Sequence, residues 1–182
     1  QAKSLAKKAA EAYPKVEEWS KDRIEEFGNV VKGIDADTLA RIGKDAFKDS
    51  ISTFTKVSKK VGAYSKTQLK ALGKKAKEAY GSSEKWTEKT VGELQSLVSG
   101  LDAKDIGRIP TDAMAGLNEM AVVEMDKDQV KAITSAGIKK MIKQARNAIN
   151  GDKLKDLDAD QKKAAVGCDG ESCPAAVVDV TI

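Results

Sequence analysis

Few side chains in this sequence are spaced for chemistry. Cys168 and Cys173, in "CDGESC", form an even pair at short spacing beside a glycine. That is the pattern of a local disulfide in an oxidising compartment, with two free thiols as the alternative. A redox motif needs closer cysteines beside a helix start, and a zinc site needs two more ligands. "DLDADQ" at 156–161 opens like a calcium loop with alternate aspartates, but Gln161 and Gly167 stand where glycine and glutamate are required. A helix start with acidic neighbours is expected there instead. The chain has no histidine, which removes the commonest general base and the commonest zinc ligand together. Adjacent carboxylates such as Glu17 and Glu18 have nothing beside them in sequence to drive their pKa values apart. No catalytic residue, metal site or cofactor is expected, and the chain does not read as an enzyme.

The aromatic residues carry more information. "EAYPKVEEW" at 11–19 is echoed by "EAYGSSEKW" at 78–86, so Tyr13 and Trp19 recur as Tyr80 and Trp86 at a shift of 67 (80 − 13). The same shift aligns residues 5–47 with 72–114 without a gap, and 18 of those 43 positions are identical. Most other positions keep size and polarity, so the two copies are expected to share a backbone path. These aromatics could stack on a sugar or bond a ligand. Their fixed place in a repeat favours a structural role, closing the hairpin of one unit against the next.

The elements that must position them are helices. Ile24, Phe27, Val31 and Ile34 fall at steps of three and four, and Val91, Leu94, Val98 and Leu101 repeat the stripe. Ser65 with Gln68, Asp126 with Gln129 and Asp158 with Gln161 fit the capping box that opens a helix. Ser20, Thr87, Asp35 and Asp102 are further N-cap candidates, and Gly33 and Gly100 read as left-handed helix C-caps. After the aligned block the shift falls to 61, when "SKTQLKAL" at 65–72 meets "DKDQVKAI" at 126–133, so the second copy has lost six residues (67 − 61). The chain therefore divides into repeat one at 1–64, repeat two at 65–125, a partial repeat three at 126–166 and a tail at 167–182. All four belong to one continuous domain. The expected fold is all-α, a stack of helical hairpins that makes a superhelical rod of about two and a half repeats.

Composition limits the partners. With 28 Lys and 4 Arg interspersed among 28 acidic residues, the net charge is only +4, which lacks the one-sided arginine and aromatic face of a nucleic-acid binder. Weak, unspecific attraction to anionic glycans or membrane surfaces is all that charge alone suggests. No apolar run reaches the roughly 18 residues of a membrane span, and no signal peptide is read at the start. A start at Gln1 fits a processed mature chain and a shortened one equally.

Residues 6–42 ("AKKAAEAY…WSKDRIEEFGNVVKGIDADTLARI") and 68–114 ("QLKALGKKAKEAY…WTEKTVGELQSLVSGLDAKDIGRIPTDAM") resemble the mesothelin, stereocilin and otoancorin family. The shared features are a tyrosine ahead of a Trp-Ser/Thr helix start, a glycine–hydrophobic–Asp break, and a later capping box with glutamine. The resemblance implies a right-handed armadillo-like superhelix, an extracellular or cell-surface setting, and a role in adhesion or matrix attachment. The chain differs in its shortness, in having no Asn-x-Ser/Thr signal and in having only two cysteines. An invertebrate extracellular relative, or a fragment of one, fits these differences. The expected function is a secreted structural or adhesive protein that binds another extracellular protein, a matrix component or itself. The alternative is a carrier holding a small apolar ligand or lipid among Phe27, Phe54, Leu94 and Met114.

Overall fold

The computed structural model describes residues 1–167, so the expected disulfide between Cys168 and Cys173 lies outside the described residues. All regular elements described are helical. The first repeat contains α1 (Ala2–Ala12), α2 (Lys21–Phe27), α3 (Ala36–Arg41), α4 (Lys44–Asp49) and α5 (Ile51–Val57). The second contains α6 (Lys66–Tyr80), α7 (Glu88–Leu94), α8 (Ala103–Ile106) and α9 (Glu119–Glu124). Then come α10 (Lys127–Lys131), α11 (Ser135–Lys140), α12 (Lys143–Asn147), α13 (Gly151–Lys155) and α14 (Ala159–Val166). Short 3₁₀ turns at Val16–Glu18, Gly28–Gly33, Ser83–Lys85, Gln95–Gly100 and Thr111–Gly116 complete the path. The helices are mostly too short to persist alone, so their stability comes from burying one face. A single apolar cluster does this, running from Ala6 to Ala165.

The six residues missing from the second copy are the turn 58–63 after α5. On either side of it, Tyr64 and its counterpart Met125 are both buried. From Leu101 onward a shift of 32 (133 − 101) takes over: Leu101, Ile109, Leu117 and Met125 recur as Ile133, Met141, Ile149 and Leu157, all buried. Gln129 is only four residues from Ile133 (133 − 129), whereas Gln68 is 33 from Leu101 (101 − 68). The partial third repeat thus joins a helix start directly to the next break, and the tyrosine–tryptophan stretch has no counterpart in it.

The stripe from Ile24 to Ile34 is not one helix, as its period suggested. It is α2 followed by a 3₁₀ turn, and the joint lies at Gly28, with φ +48° and ψ −124°. In the second copy the same joint is Gln95, at φ +50° and ψ −128°. This backbone region is open to glycine and strained for a residue with a Cβ. Gln95→Gly is therefore expected to raise stability by about 1 kcal/mol, strain relief exceeding the added unfolded-state entropy. Urea midpoints of the two proteins measure it, and a drop in the variant would show that the joint is unstrained.

Gly33 and Gly100 end the 3₁₀ turns Gly28–Gly33 and Gln95–Gly100. Neither has the left-handed backbone expected of it. Space is the reason for glycine. A Cβ on Gly33 would overlap the Ala2 carbonyl of α1, and one on Gly100 would overlap the Leu69 carbonyl of α6. Gly73 meets Gly100 from the other side, and a Cβ on Gly116 would overlap the Glu88 carbonyl and crowd the Gly92 amide of α7. At these crossings main chain packs directly on main chain.

Tyr64 closes the first repeat by donating from its hydroxyl to the Phe54 carbonyl at 3.0 Å. Burial pushes its phenol well above the ordinary tyrosine value, and burial together with Glu93 and Asp49 pushes Tyr80 up to about 12. Groups whose folded pKa is raised stabilise the fold fully below the unfolded value of about 10 and lose that contribution as pH rises above it. The melting temperature should therefore fall steeply between about pH 10 and 12. Melts of Tyr64→Phe over the same range should fall less steeply, and equal slopes would exclude Tyr64 as a source.

Candidate interaction surface

The aromatic echo is built from its helix ends. Pro14 disfavours helical backbone at Tyr13, so α1 stops at Ala12. Gly81 takes φ +81°, so α6 runs one residue further, through Tyr80. The tryptophans follow that difference: Trp19 Nε1 donates to the Tyr13 carbonyl at 3.0 Å, and Trp86 Nε1 donates to the Gly81 carbonyl at 2.9 Å. Trp19 is 5% exposed and Trp86 is 2% exposed, so neither indole presents a face for stacking. Trp19 meets Phe27 edge-on at 4.9 Å, while Tyr13 is exposed with the Arg23 guanidinium 3.7 Å over its ring. The same segment is tied down by Arg41, which grips Glu17 with two nitrogens at 2.9 and 3.2 Å. That contact holds the Glu17 carboxyl below the usual range.

The three capping boxes do more than start helices. Ser65, Asp126 and Asp158 each accept from the backbone amide of the glutamine three residues on, and the glutamine Oε1 accepts in return from the cap amide. The remaining amide group of each glutamine reaches across to the previous break. Gln68 Nε2 donates to the carbonyls of Lys32 and Ile34 at 2.9 and 2.6 Å. Gln129 Nε2 donates to those of Ser99 and Leu101 at 2.8 and 2.5 Å. Gln161 Nε2 donates to those of Lys131 and Ile133 at 2.9 and 2.6 Å. One side chain thus caps its own helix and fastens it to the preceding unit. Sequence alone identifies only the cap. Glutamate would cap as well but has no amide to donate, so the use of glutamine three times is the available signal.

Beside two of these clamps lie equivalent surface hollows. One, of about 370 Å³, is lined by Lys3, Lys7, Asp35, Ser65, Thr67 and Gln68. The other, of about 310 Å³, is lined by residues that include Lys66, Lys70, Lys77, Asp102, Asp105 and Asp126. Lys3 and Lys70 are counterparts, as are Asp35 and Asp102. Lys77 pairs with Asp105, whereas Lys3 and Lys70 form no ion pair among the described residues. Asp35 is bonded at its own helix start by the Thr38 amide and hydroxyl, at 2.8 and 2.9 Å, so its charge is partly engaged. Mixed charge and open walls suit a hydrated macromolecular contact rather than an apolar ligand.

The residues proposed to line a carrier cavity are packed instead. Phe54 and Leu94 have no exposure and Met114 has 2%. Phe27 packs against the core, and Phe54 meets Phe47 at 5.2 Å between ring centres. Among the described residues no group of three or more His, Cys, Asp or Glu is placed to hold a metal ion, and no helix is long and apolar enough to cross a membrane. Comparison with family models, curated proteins and solved structures finds no match for this chain.

Proposed function

We propose that the chain is a non-enzymatic, mesothelin-like helical-repeat protein of the extracellular space, a right-handed superhelical stack that binds another extracellular protein or a matrix component in adhesion. The observation that carries this reading is the recurrence of one polar hollow at successive unit boundaries, each with a lysine at the same position that forms no ion pair among the described residues. Repeated sites along a stack suit an extended partner, because successive weak contacts reinforce one another once the first is made. The mixed-charge rim sets partner choice and encounter rate more than affinity. The short cysteine spacing supports an oxidising setting.

The test is a binding panel of matrix proteins, glycans and cell surfaces probed with the purified chain. A partner retained by the wild type and weakened at least tenfold by Lys3→Glu with Lys70→Glu, at a melting temperature within about 2 °C, supports the reading; exposed substitutions of this kind change stability little. A chain that stays monomeric at high concentration and binds nothing in the panel overturns it.

A further inference from the structure

The two outer helices α1 and α6 occupy equivalent places, but only α6 is covered on both sides. Its outer face lies under α3 and α4 of the first repeat, and there Leu72 is fully buried, Ala76 is 1% exposed and Lys75 is 5% exposed. Lys75 survives burial by pairing with Glu78 at 2.6 Å. Tyr80 lies beneath Lys48 of α4, 5.3 Å from its ring. On α1 the counterparts of these residues are Leu5, Lys8, Ala9, Glu11 and Tyr13, identical in type at every position. There Leu5 is 54% exposed and Tyr13 is 40% exposed.

The opposite face of the two helices behaves differently. That face of α1 packs on the 3₁₀ turn Gly28–Gly33, with Ala6 buried and Ala10 against the core, and the counterparts of Ala2, Ala6 and Ala10, which are Leu69, Gly73 and Lys77, all differ in type. The five positions that a preceding unit covers in α6 are therefore all kept in α1, where no other repeat in the described structure covers them. Gln1 also stands at the position of Gln68, whose amide binds the two break carbonyls of the unit before it.

We infer that the outer face of α1 is a docking surface for a further helical unit of this same repeat kind, one that presents an unclosed Gly–hydrophobic–Asp break and an α3–α4 pair. The occupant is specified by continuity with the α3–α4 interface on α6, which shows what the same residues bind. A second copy of this chain does not qualify. Its breaks at Ile34, Leu101 and Ile133 are each already closed by its own Gln68, Gln129 and Gln161. The inference concerns the end of the stack and stands apart from the adhesive reading of its flank.

The probe is the full chain extended at its N-terminus by an extra copy of residues 1–67, which places Gln1 behind an open break at the natural spacing. Docking should slow amide exchange in α1 at least tenfold and give one cooperative melt. Leu5→Glu should lower the melting temperature of the extended chain by about 5 °C or more, as expected for spoiling a buried leucine in a chain of this size. The same substitution should leave the unextended chain within about 1 °C, as for an exposed site. Two separate melts, unchanged exchange in α1, or equal effects of Leu5→Glu in both backgrounds would overturn the inference. So would concentration-dependent dimers of the unextended chain that Leu5→Glu dissolves, because they would make a second copy the occupant.

Discussion

Trp86→Ala is expected to lower stability by about 4 kcal/mol, within the range for emptying a buried tryptophan site. In a chain of this size that corresponds to a drop of roughly 12 °C in melting temperature. The indole is 2% exposed and ties the start of α7 to the end of α6 through its 2.9 Å bond to the Gly81 carbonyl. Alanine removes both the filling and the tie, and the surrounding helices are held from both sides, so the site collapses poorly. Trp86→Phe keeps much of the area and loses the bond, and it should cost about 1–2 kcal/mol. Trp19→Ala should cost less than Trp86→Ala, about 3 kcal/mol. Its neighbourhood includes the exposed Tyr13 and the half-buried Phe27, so water and side chains can move in. Thermal and urea denaturation read all three. If Trp86→Ala left the melt unchanged but abolished partner binding, the indole would belong to a binding site and not to the hinge.

Gly100→Ala is expected to cost about 3 kcal/mol, the upper end of the usual overpacking range. The added methyl meets only backbone of α6, the Leu69 carbonyl and the Gly73 amide, and no rotamer change relieves the overlap. The whole break must move away from α6, which strains the Gln129 bonds to Ser99 and Leu101 as well. Gly33→Ala makes the same overlap against α1, but α1 is covered on one side only and can lift, so about 1–2 kcal/mol is expected. Gly62→Ala is the control. Nothing lies within 4 Å of a Cβ there, and its φ of +70° alone should cost about 1 kcal/mol. Urea midpoints in the order Gly100→Ala, Gly33→Ala, Gly62→Ala, lowest first, fit direct main-chain contact. Equal values for the first and last would remove it.

The helical class and the equivalence of the first two repeats were legible because they rest on local signals: three-and-four spacing, cap residues and a long ungapped echo. The reason for Gly33 and Gly100 was not. A glycine after a helix reads as a left-handed cap from local chemistry, whereas what excludes a side chain at these two is a helix about 30 residues away, which periodicity does not register. The kink at Gly28 was hidden for a related reason, since an α-helix and a following 3₁₀ turn keep the same side facing the core and leave the apolar stripe intact. The clamps were half visible: Gln68, Gln129 and Gln161 were placed correctly at helix starts, but the second bonding partner of each amide exists only after the units have stacked. Tyr13 and Trp19 shared a motif, yet the structure exposes the first and buries the second, a distinction that depends on which neighbour covers α1.

The glutamine clamps also impose an order in time. Each break is closed by a residue synthesised later, 34 positions on for Ile34 and 28 positions on for both Leu101 and Ile133. At a translation rate of about 5–20 residues per second, each break waits roughly 1.5–7 s for its glutamine. Helices form in about a microsecond or less. Each unit can therefore adopt its own helices on the ribosome, and its two break carbonyls remain hydrated until the next helix emerges. Docking then follows synthesis from Ile34 to Leu101 to Ile133. Slowing translation between a break and its glutamine should lengthen the open interval at that boundary alone.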